Sequence, residues 1–411
     1  MKRRSRDRGK ALRCWYNRQM IIKPRIRGFI CTTAHPVGCA ALVDAHVGWM
    51  KAQPPIAGGP HRVLVIGGSG GYGLASRIVS GFGAGARTLC VSFEKEPAAD
   101  RTGTAGWYNN LAFDRLAAAD NLYARSLSAD AFADATKDQV ADIVRRDLGG
   151  VDLLIYSLAS PVRTDPNTGV LYRSVIKPVG RTVHTKTLNV EKGVVHEIDL
   201  APADDEEIQA TVKVMGGEDW ERWVAHLDHQ KLLNPGFKTV AYTYIGSELT
   251  WPIYWEGTLG KAKEDLDRAA AAMRNVLAPL HGDARVAVMK AVVTQASSAI
   301  PVVPLYISLL FRVMKDMAVH EDCLRQIDRL FRTRLYGCDV MPGSDAAGRL
   351  RVDDWELRED VQGEVRRRWR MVNSDNVVEL SDLGGFRREF LRIFGFDVDG
   401  VNYEEDVPLL S

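Results

Sequence analysis

Residues 63–73 constrain the fold of this chain more than any other stretch. Val63-Leu-Val-Ile66 is a short, apolar, β-branched run, the composition a strand needs when both of its faces are covered. It leads directly into Gly67-Gly-Ser-Gly-Gly71-Tyr-Gly73, and residues 74–81 after it read as a helix. Glycines in that position let the backbone turn sharply and approach a pyrophosphate, whose charge meets free N–H groups at the helix start. A glycine cluster by itself is weak evidence; one lodged between a strand and a helix predicts a nucleotide.

The same rhythm continues. Strands are expected at 88–93, 122–127, 151–157, 238–244 and 285–293, with a helix over 134–147. Strands alternating with helices imply an α/β fold with a doubly wound, Rossmann-like parallel sheet. Residues 161–237 interrupt the pattern: Asp165-Pro-Asn-Thr-Gly169 is a turn signal, and 182–199 alternates like a hairpin. This region reads as an insertion near the active-site edge. Residues 335–411, charged and turn-rich, read as a helical C-terminal annex. The expected organisation is a basic leader without a fold over 1–19 and one large domain over 20–411.

Composition narrows the function classes. Of 411 residues, 46% are hydrophobic and 26% charged, as in an ordinary globular protein. The six cysteines are scattered, with no C-x-x-C pair and no His pair at zinc spacing, so no metal site is expected and the thiols read as reduced. The net charge of +2 hides an asymmetry: residues 1–19 carry eight Lys/Arg and one acid, leaving 46 basic and 51 acidic residues in the rest. That leader could be a nucleic-acid arm or a targeting peptide; a plain leader before Met20 is the preferred reading, and no apolar run follows it to direct export. The most apolar segment, 300–311, is short and carries Pro301 and Pro304, which suits a buried helix rather than a membrane span. The expectation is a cytoplasmic monomer with no nucleic-acid partner.

Glu94 lies 21 residues beyond Gly73, where the second strand ends. There a carboxylate accepts hydrogen bonds from the adenosine ribose and repels a 2′-phosphate, favouring NADH over NADPH; an exposed strand-end charge is the alternative reading. Gly67, Gly71 and Gly73 fit G-x-x-x-G-x-G, the spacing of short-chain dehydrogenases. Such an enzyme needs a tyrosine and a lysine converging on the nicotinamide, the phenol donating to an oxygen that becomes negative as hydride arrives. Tyr254 is the candidate, with Tyr244 ten residues before it. The Tyr-x3-Lys position holds Thr258, and two lysines follow, Lys261 at Tyr-x6-Lys and Lys263 at Tyr-x8-Lys. At about 100° per residue, Lys263 could converge with Tyr254 only if a helix starts after the tyrosine. Gly257 and Gly260 make that break plausible, with a helix over 261–278.

Six longer stretches are far more specific: Met20-Ile-Ile-Lys-Pro-Arg-Ile-Arg-Gly-Phe29, Gly106-Trp-Tyr-Asn109, Tyr156-Ser-Leu-Ala-Ser-Pro-Val-Arg163, Met215-Gly-Gly-Glu-Asp-Trp220, Thr250-Trp-Pro-Ile-Tyr-Trp255 and Thr294-Gln-Ala-Ser-Ser-Ala-Ile-Pro301. In these the chain resembles the FabV-type trans-2-enoyl-ACP/CoA reductases over nearly its whole length from Met20 onward. The resemblance implies NADH-dependent reduction of the C2=C3 bond of an enoyl thioester carried by acyl carrier protein or coenzyme A, the last reductive step of fatty acid elongation. It selects the Tyr-x8-Lys spacing, hence Lys263, with Tyr254 as proton donor and Tyr244 as a substrate contact. It further implies that Gly67, Gly68, Ser69, Gly70, Gly71 and Tyr72 hold pyrophosphate, Phe93 and Glu94 the adenosine ribose, and Asp130 and Ala131 the adenine. Leu158 and Ala159 would line the cofactor, and Lys263 with Val292, Val293 and Thr294 would complete the nicotinamide pocket. Gly70 departs from the family, which more often has Ser or Thr there.

Two rivals stay in view. A dehydrogenase acting on a C=O bond usually places a serine 13 residues before its tyrosine, where this chain has Ala241. A non-catalytic NAD-binding regulator is expected to have lost the Tyr/Lys pair, and both residues are present. Glu94→Ala is predicted to improve turnover with NADPH relative to NADH; an unchanged ratio of kcat/KM for the two cofactors removes Glu94 from this role.

Overall fold

The computed structural model describes residues 19–98, 101–337 and 344–409, so the basic leader expected over 1–19 lies, but for residue 19, outside the described residues. Seven strands form the central sheet: β1 (Arg62–Ile66), β2 (Arg87–Ser92), β3 (Ala124–Ser128), β4 (Val151–Tyr156), β5 (Leu233–Thr243), β6 (Asp283–Val288) and β7 (Leu350–Arg351). Their spatial order is β7-β6-β5-β4-β1-β2-β3, and every pair is parallel. This is the doubly wound, Rossmann-like sheet that the sequence predicts. The chain winds outward in opposite directions from β1 and β4, so a crevice opens above the carboxyl ends of those two strands.

The helices follow from α1 (Pro36–Lys51) through α2 (Gly71–Ile78), α3 (Ala105–Ala119) and α4 (Asp134–Ile143). Then come α5 (Asp205–Met215), α6 (Glu218–His229), α7 (Thr258–Leu277), α8 (Val303–Asp316), α9 (Cys323–Leu330), α10 (Glu359–Met371) and α11 (Leu383–Arg392). Alternate residues of a strand face opposite ways. Leu64, Ile66 and Leu154 therefore pack with Trp220, Trp223 and Leu266 of α6 and α7. Val63, Val65 and Ile155 pack with Val47, Ile78 and Ile327 of α1, α2 and α9. Helices on both faces explain why these strands read as unbroken apolar runs. A third core joins Tyr254 to Leu305 and Leu309 of α8 and to Val361, Phe386 and Phe390 of the C-terminal annex.

Several boundaries differ from the sequence expectation, each for a local reason. The third strand begins at Ala124 rather than 122, because Asn121 takes a left-handed conformation (φ 57°) and the Leu122 N–H closes α3 on the Ala117 carbonyl. The helix expected over 134–147 narrows to α4 and then widens into a π turn, Val144–Leu148, which Gly149 (φ 78°) ends. The last long strand stops at Val288 instead of 293, since its neighbour β5 ends at Thr243 and offers one further carbonyl, to the Met289 N–H. Residues 289–294 leave the sheet, and Thr294 comes to lie beside Gly71.

The inserted region holds the expected hairpin, Val183–Asn189 against Val194–Leu200, and a second small one around the 165–169 turn, Val162–Thr164 against Leu171–Arg173. It also contains α5 and α6, which the alternation did not reveal. Among the described residues no helix is long and apolar enough to cross a membrane.

Candidate active site

The registers Ile66 with Tyr156, Ile66 with Val91, Ser92 with Ser128 and Thr243 with Val288 bring six strand ends to one edge. The residues that follow those ends carry nearly all of the sequence-predicted site.

At the switch point the backbone itself is crowded. Gly67 has φ +84°, and a side chain there would run into the Ser157 carbonyl; one on Gly73 would run into the Gly67 carbonyl. The turn therefore folds onto itself and onto the end of β4, with Ser157 N–H donating to the Ile66 carbonyl at 2.8 Å. No side chain caps α2, and no acid stands in its first turn. Its leading N–H groups are thus presented to an anion. Around Gly70 nothing lies within 4 Å of where a Cβ would sit, so the Ser or Thr of relatives would fit and its absence costs the turn nothing. The Tyr72 hydroxyl turns inward to the Lys290 carbonyl, 2.9 Å away, leaving its backbone as the part that can reach a phosphate.

Glu94 is tied down. Ser69 Oγ donates to its Oε1 at 2.5 Å, Thr104 Oγ1 donates to Oε2, and any side chain on Gly106 would strike the carboxylate. Asn109 Nδ2 donates to the Ser69 carbonyl at 2.9 Å. This accounts for the Gly106-Trp-Tyr-Asn109 stretch: it holds the carboxylate and the glycine turn in one register. Phe93 beside it is exposed.

The 130–131 segment rests on a buried ion pair. Lys137 Nζ donates to Asp219 Oδ1 at 2.9 Å, to the Ala131 carbonyl at 3.0 Å and to the Phe132 carbonyl at 3.2 Å. Trp223 Nε1 also donates to the Ala131 carbonyl, and the Tyr156 hydroxyl donates to Asp219 Oδ2. Gly217 N–H meets Asp265 of α7 at 2.8 Å. The Met215–Trp220 stretch thus links the edge beyond β3, the end of β4 and the helix that carries Lys263. The sequence alone assigns this motif no role, because its partners are 48 to 82 residues away.

At the reactive end, α7 starts at Thr258, after Tyr254, which is the break that the Tyr-x8-Lys reading requires. Tyr254 lies in a turn whose carbonyl accepts from Gly257 and Gly260. A side chain on Gly260 would strike the Trp255 carbonyl, so the chain can double back only with glycine there. The rings of Tyr244 and Tyr254 meet edge to face, centroids 5.0 Å apart. Burial pushes the Tyr254 phenol above its ordinary pKa, keeping it protonated. The Tyr244 hydroxyl donates to Glu356 at 2.9 Å, whereas among the described residues that of Tyr254 has no hydrogen-bond partner.

The two lysines separate clearly. Lys261 pairs with Glu264 at 3.0 Å. Lys263 is half-buried, has no ion-pair partner among the described residues, and burial lowers its pKa to about 8 against the opposing pull of Asp267. Thr294 begins a short helix, Gln295–Ser298, in a reciprocal cap with Ser297, and its methyl lies 3.6 Å from where a side chain on Gly71 would begin. Ser297 Oγ also donates to the Val292 carbonyl at 2.7 Å, fixing the 292–294 segment, and Leu158 and Ala159 follow the end of β4. The C=O-reductase serine position, Ala241, is buried in β5.

Known proteins resemble this chain over nearly its whole length. Family models described as the NAD(P)H binding domain and the catalytic region of trans-2-enoyl-CoA reductase match residues 21–99 and 101–336. The enoyl-(acyl-carrier-protein) reductase (NADH) of Edwardsiella ictaluri is 55% identical over 94% of this chain and 97% of its own. A protein of Aeromonas salmonicida, named enoyl-(acyl-carrier-protein) reductase (NADH) FabV, is 54% identical with the same coverage. Among solved structures, the Clostridium acetobutulicum trans-2-enoyl-CoA reductase in complex with NADH superposes with a TM-score of 0.92 at 41% identity, covering 95% of this chain and 98% of that one. The Treponema denticola trans-2-enoyl-CoA reductase in complex with NAD gives 0.91 at 48%, with the same coverage.

A third family model, described as an enoyl reductase FAD binding domain, matches residues 344–407. The residues there do not fit a flavin dinucleotide. No glycine turn joins a strand to a helix among the described residues, the first turn of α10 carries Glu359 and Asp360, and the Asp382 carboxylate already caps α11. Its apolar side chains, Val361, Phe386 and Phe390, are spent on packing against α8.

Lys137→Met is predicted to destabilise the fold by about 3–5 kcal/mol, because it leaves the Asp219 carboxylate buried and unpaired, whereas Lys137→Met with Asp219→Leu should recover most of that loss. Urea denaturation of the two variants checks both statements.

Proposed function

The chain belongs to the trans-2-enoyl-CoA reductase family, and from that membership we propose how its own residues carry out the reaction. It is an NADH-dependent enzyme that saturates the C2=C3 double bond of trans-2-enoyl thioesters. NADH, when bound, supplies the hydride for C3. The N–H groups of residues 67–72 at the start of α2 would hold its pyrophosphate, Glu94 and Phe93 the adenosine ribose, and Asp130 and Ala131 the adenine. Leu158, Ala159, Val292, Val293 and Thr294 would shape the nicotinamide half of the crevice.

As C3 gains hydride, negative charge moves to the thioester oxygen. Tyr254 is the donor positioned for that charge: its phenol is held protonated by burial and is not consumed by any neighbour among the described residues. This unpaired hydroxyl on a buried ring is the observation that carries the proposal. Lys263 stands one turn into α7, and its ammonium supplies positive potential and a grip on ribose hydroxyls. Tyr244 walls the pocket with its ring. The apolar face of α8 would continue it toward the acyl chain. Acyl carrier protein is the proposed carrier, with coenzyme A thioesters also accepted, in the closing reduction of fatty acid elongation. We further propose a monomer acting in the cytoplasm.

Tyr254→Phe should fold, bind NADH with unchanged fluorescence enhancement, and lose on the order of 3 kcal/mol of transition-state stabilisation, more than a hundredfold in kcat. Near-normal turnover with crotonyl-CoA would end the proposal. Lys263→Ala should lose far more activity than Lys261→Ala, and the reverse order would reassign the lysine. Since Lys263 is depressed to about 8, it loses its proton as pH rises through that value. The kcat/KM for NADH should therefore fall above pH 8, and Lys263→Arg should carry the fall to higher pH.

A further inference from the structure

The annex contributes one side chain to the reactive end that neither the glycine motif nor the Tyr/Lys spacing involves. Glu356 follows β7 and is fully buried. Its Oε1 accepts from the Tyr244 hydroxyl at 2.9 Å and from the Tyr306 hydroxyl of α8 at 2.7 Å, and its Oε2 accepts from the Ala291 N–H at 2.6 Å. Gln362 of α10 donates to the Tyr306 oxygen at 3.0 Å and to the Glu356 carbonyl at 2.7 Å. One carboxylate therefore gathers the loop after β5, the segment leading to Val292–Thr294, and the helix behind the acyl pocket.

The direction of these bonds matters. An ionised carboxylate accepts and never donates. Three donors converge on Glu356 and Lys290 lies close by, so the ionised form is supported even though burial pushes the group's pKa up. Tyr306 accepts from Gln362 and donates its own O–H to Glu356. The single proton of Tyr244 is committed in the same way, so toward the crevice Tyr244 presents only lone pairs and a ring edge. Tyr254, 5.0 Å away between ring centroids, keeps its proton free.

We propose that Glu356 is a positioning residue for the reduction, acting through Tyr244: it makes that phenol an acceptor and a fixed wall, so that of the two adjacent tyrosines only Tyr254 can give a proton. This rests on Tyr254 being the donor. Glu356 touches neither substrate nor cofactor in this assignment. Its effect appears in turnover rather than in NADH binding, because the groups that it orders lie at the reacting end of the crevice.

The test is a double-mutant cycle of Glu356→Gln and Tyr244→Phe, read as kcat and as KM for NADH with crotonyl-CoA as acceptor. Each single variant should lower kcat about ten- to a hundredfold, the scale of a misplaced reactive group, with KM for NADH within about twofold. The double variant should be no slower than the slower single, because both remove the same constraint. Additive losses would overturn the proposal, since Glu356 would then act through packing alone. A cycle with Tyr306→Phe that is non-additive where the Tyr244 cycle is additive would overturn it in favour of α8. Should Glu356→Gln fail to fold, Tyr244→Phe still decides: normal kcat in that variant leaves Glu356 nothing to act through. Tyr254→Phe keeps the two layers apart. If it retains activity, the donor assignment falls; if it is inactive while Glu356→Gln and Tyr244→Phe turn over normally, only the role of Glu356 falls.

Discussion

Backbone crowding where β1 meets α2 is the constraint on which the rest depends. At Gly67 and Gly73 the chain passes so near its own carbonyls, and those of the neighbouring strand, that no side chain fits. That closeness delivers uncapped N–H groups to the switch point of the sheet, between β1 and β4. Because the parallel registers bring the other strands to the same edge, residues that follow β2, β4, β5 and β6 arrive around this turn without further instruction.

What the sheet does not supply is fine position, and three carboxylates supply it. Glu94 joins the glycine turn to the start of α3. Asp219 ties the 131–132 carbonyls to α6 through Lys137. Glu356 joins the 244 loop, the 291 segment and α8. Glu94 is partly exposed, whereas the buried carboxylates of Asp219 and Glu356 are costly unless every lone pair meets a donor, so those two demand particular partners at particular places. Such sites contribute little net stability. They contribute a single arrangement, which catalysis needs more than it needs an extra kilocalorie.

The annex illustrates how a segment can be structural and still matter to the chemistry. Its helices α10 and α11 bury apolar faces against α8. Its polar interior reaches inward as well: Glu356 accepts from Tyr244 and Tyr306, and Gln362 donates to Tyr306. The proposed dinucleotide residues follow the carboxyl ends of the sheet strands, and the 344–407 region packs against α8 without the features that a second dinucleotide would need.

Strand positions and the glycine turn were legible in the sequence because each depends on local physics: continuous apolar runs, and glycine between strand and helix. Even the break before Lys263 could be read, since Gly257 and Gly260 mark it, whereas the preference for Lys263 over Lys261 came from the resemblance; the structure adds that Lys263 is half-buried and Lys261 pairs with Glu264. Boundaries such as the early end of β6 could not be read, because a strand ends where its neighbour stops offering carbonyls. Nor could Lys137, Asp219 or Glu356, whose partners lie 5 to 112 residues away along the chain. A one-dimensional pattern records what a residue needs from its neighbours in sequence. Which buried charge meets which donor is settled only when distant segments pack, for there desolvation makes every unmatched polar group expensive and leaves one arrangement standing.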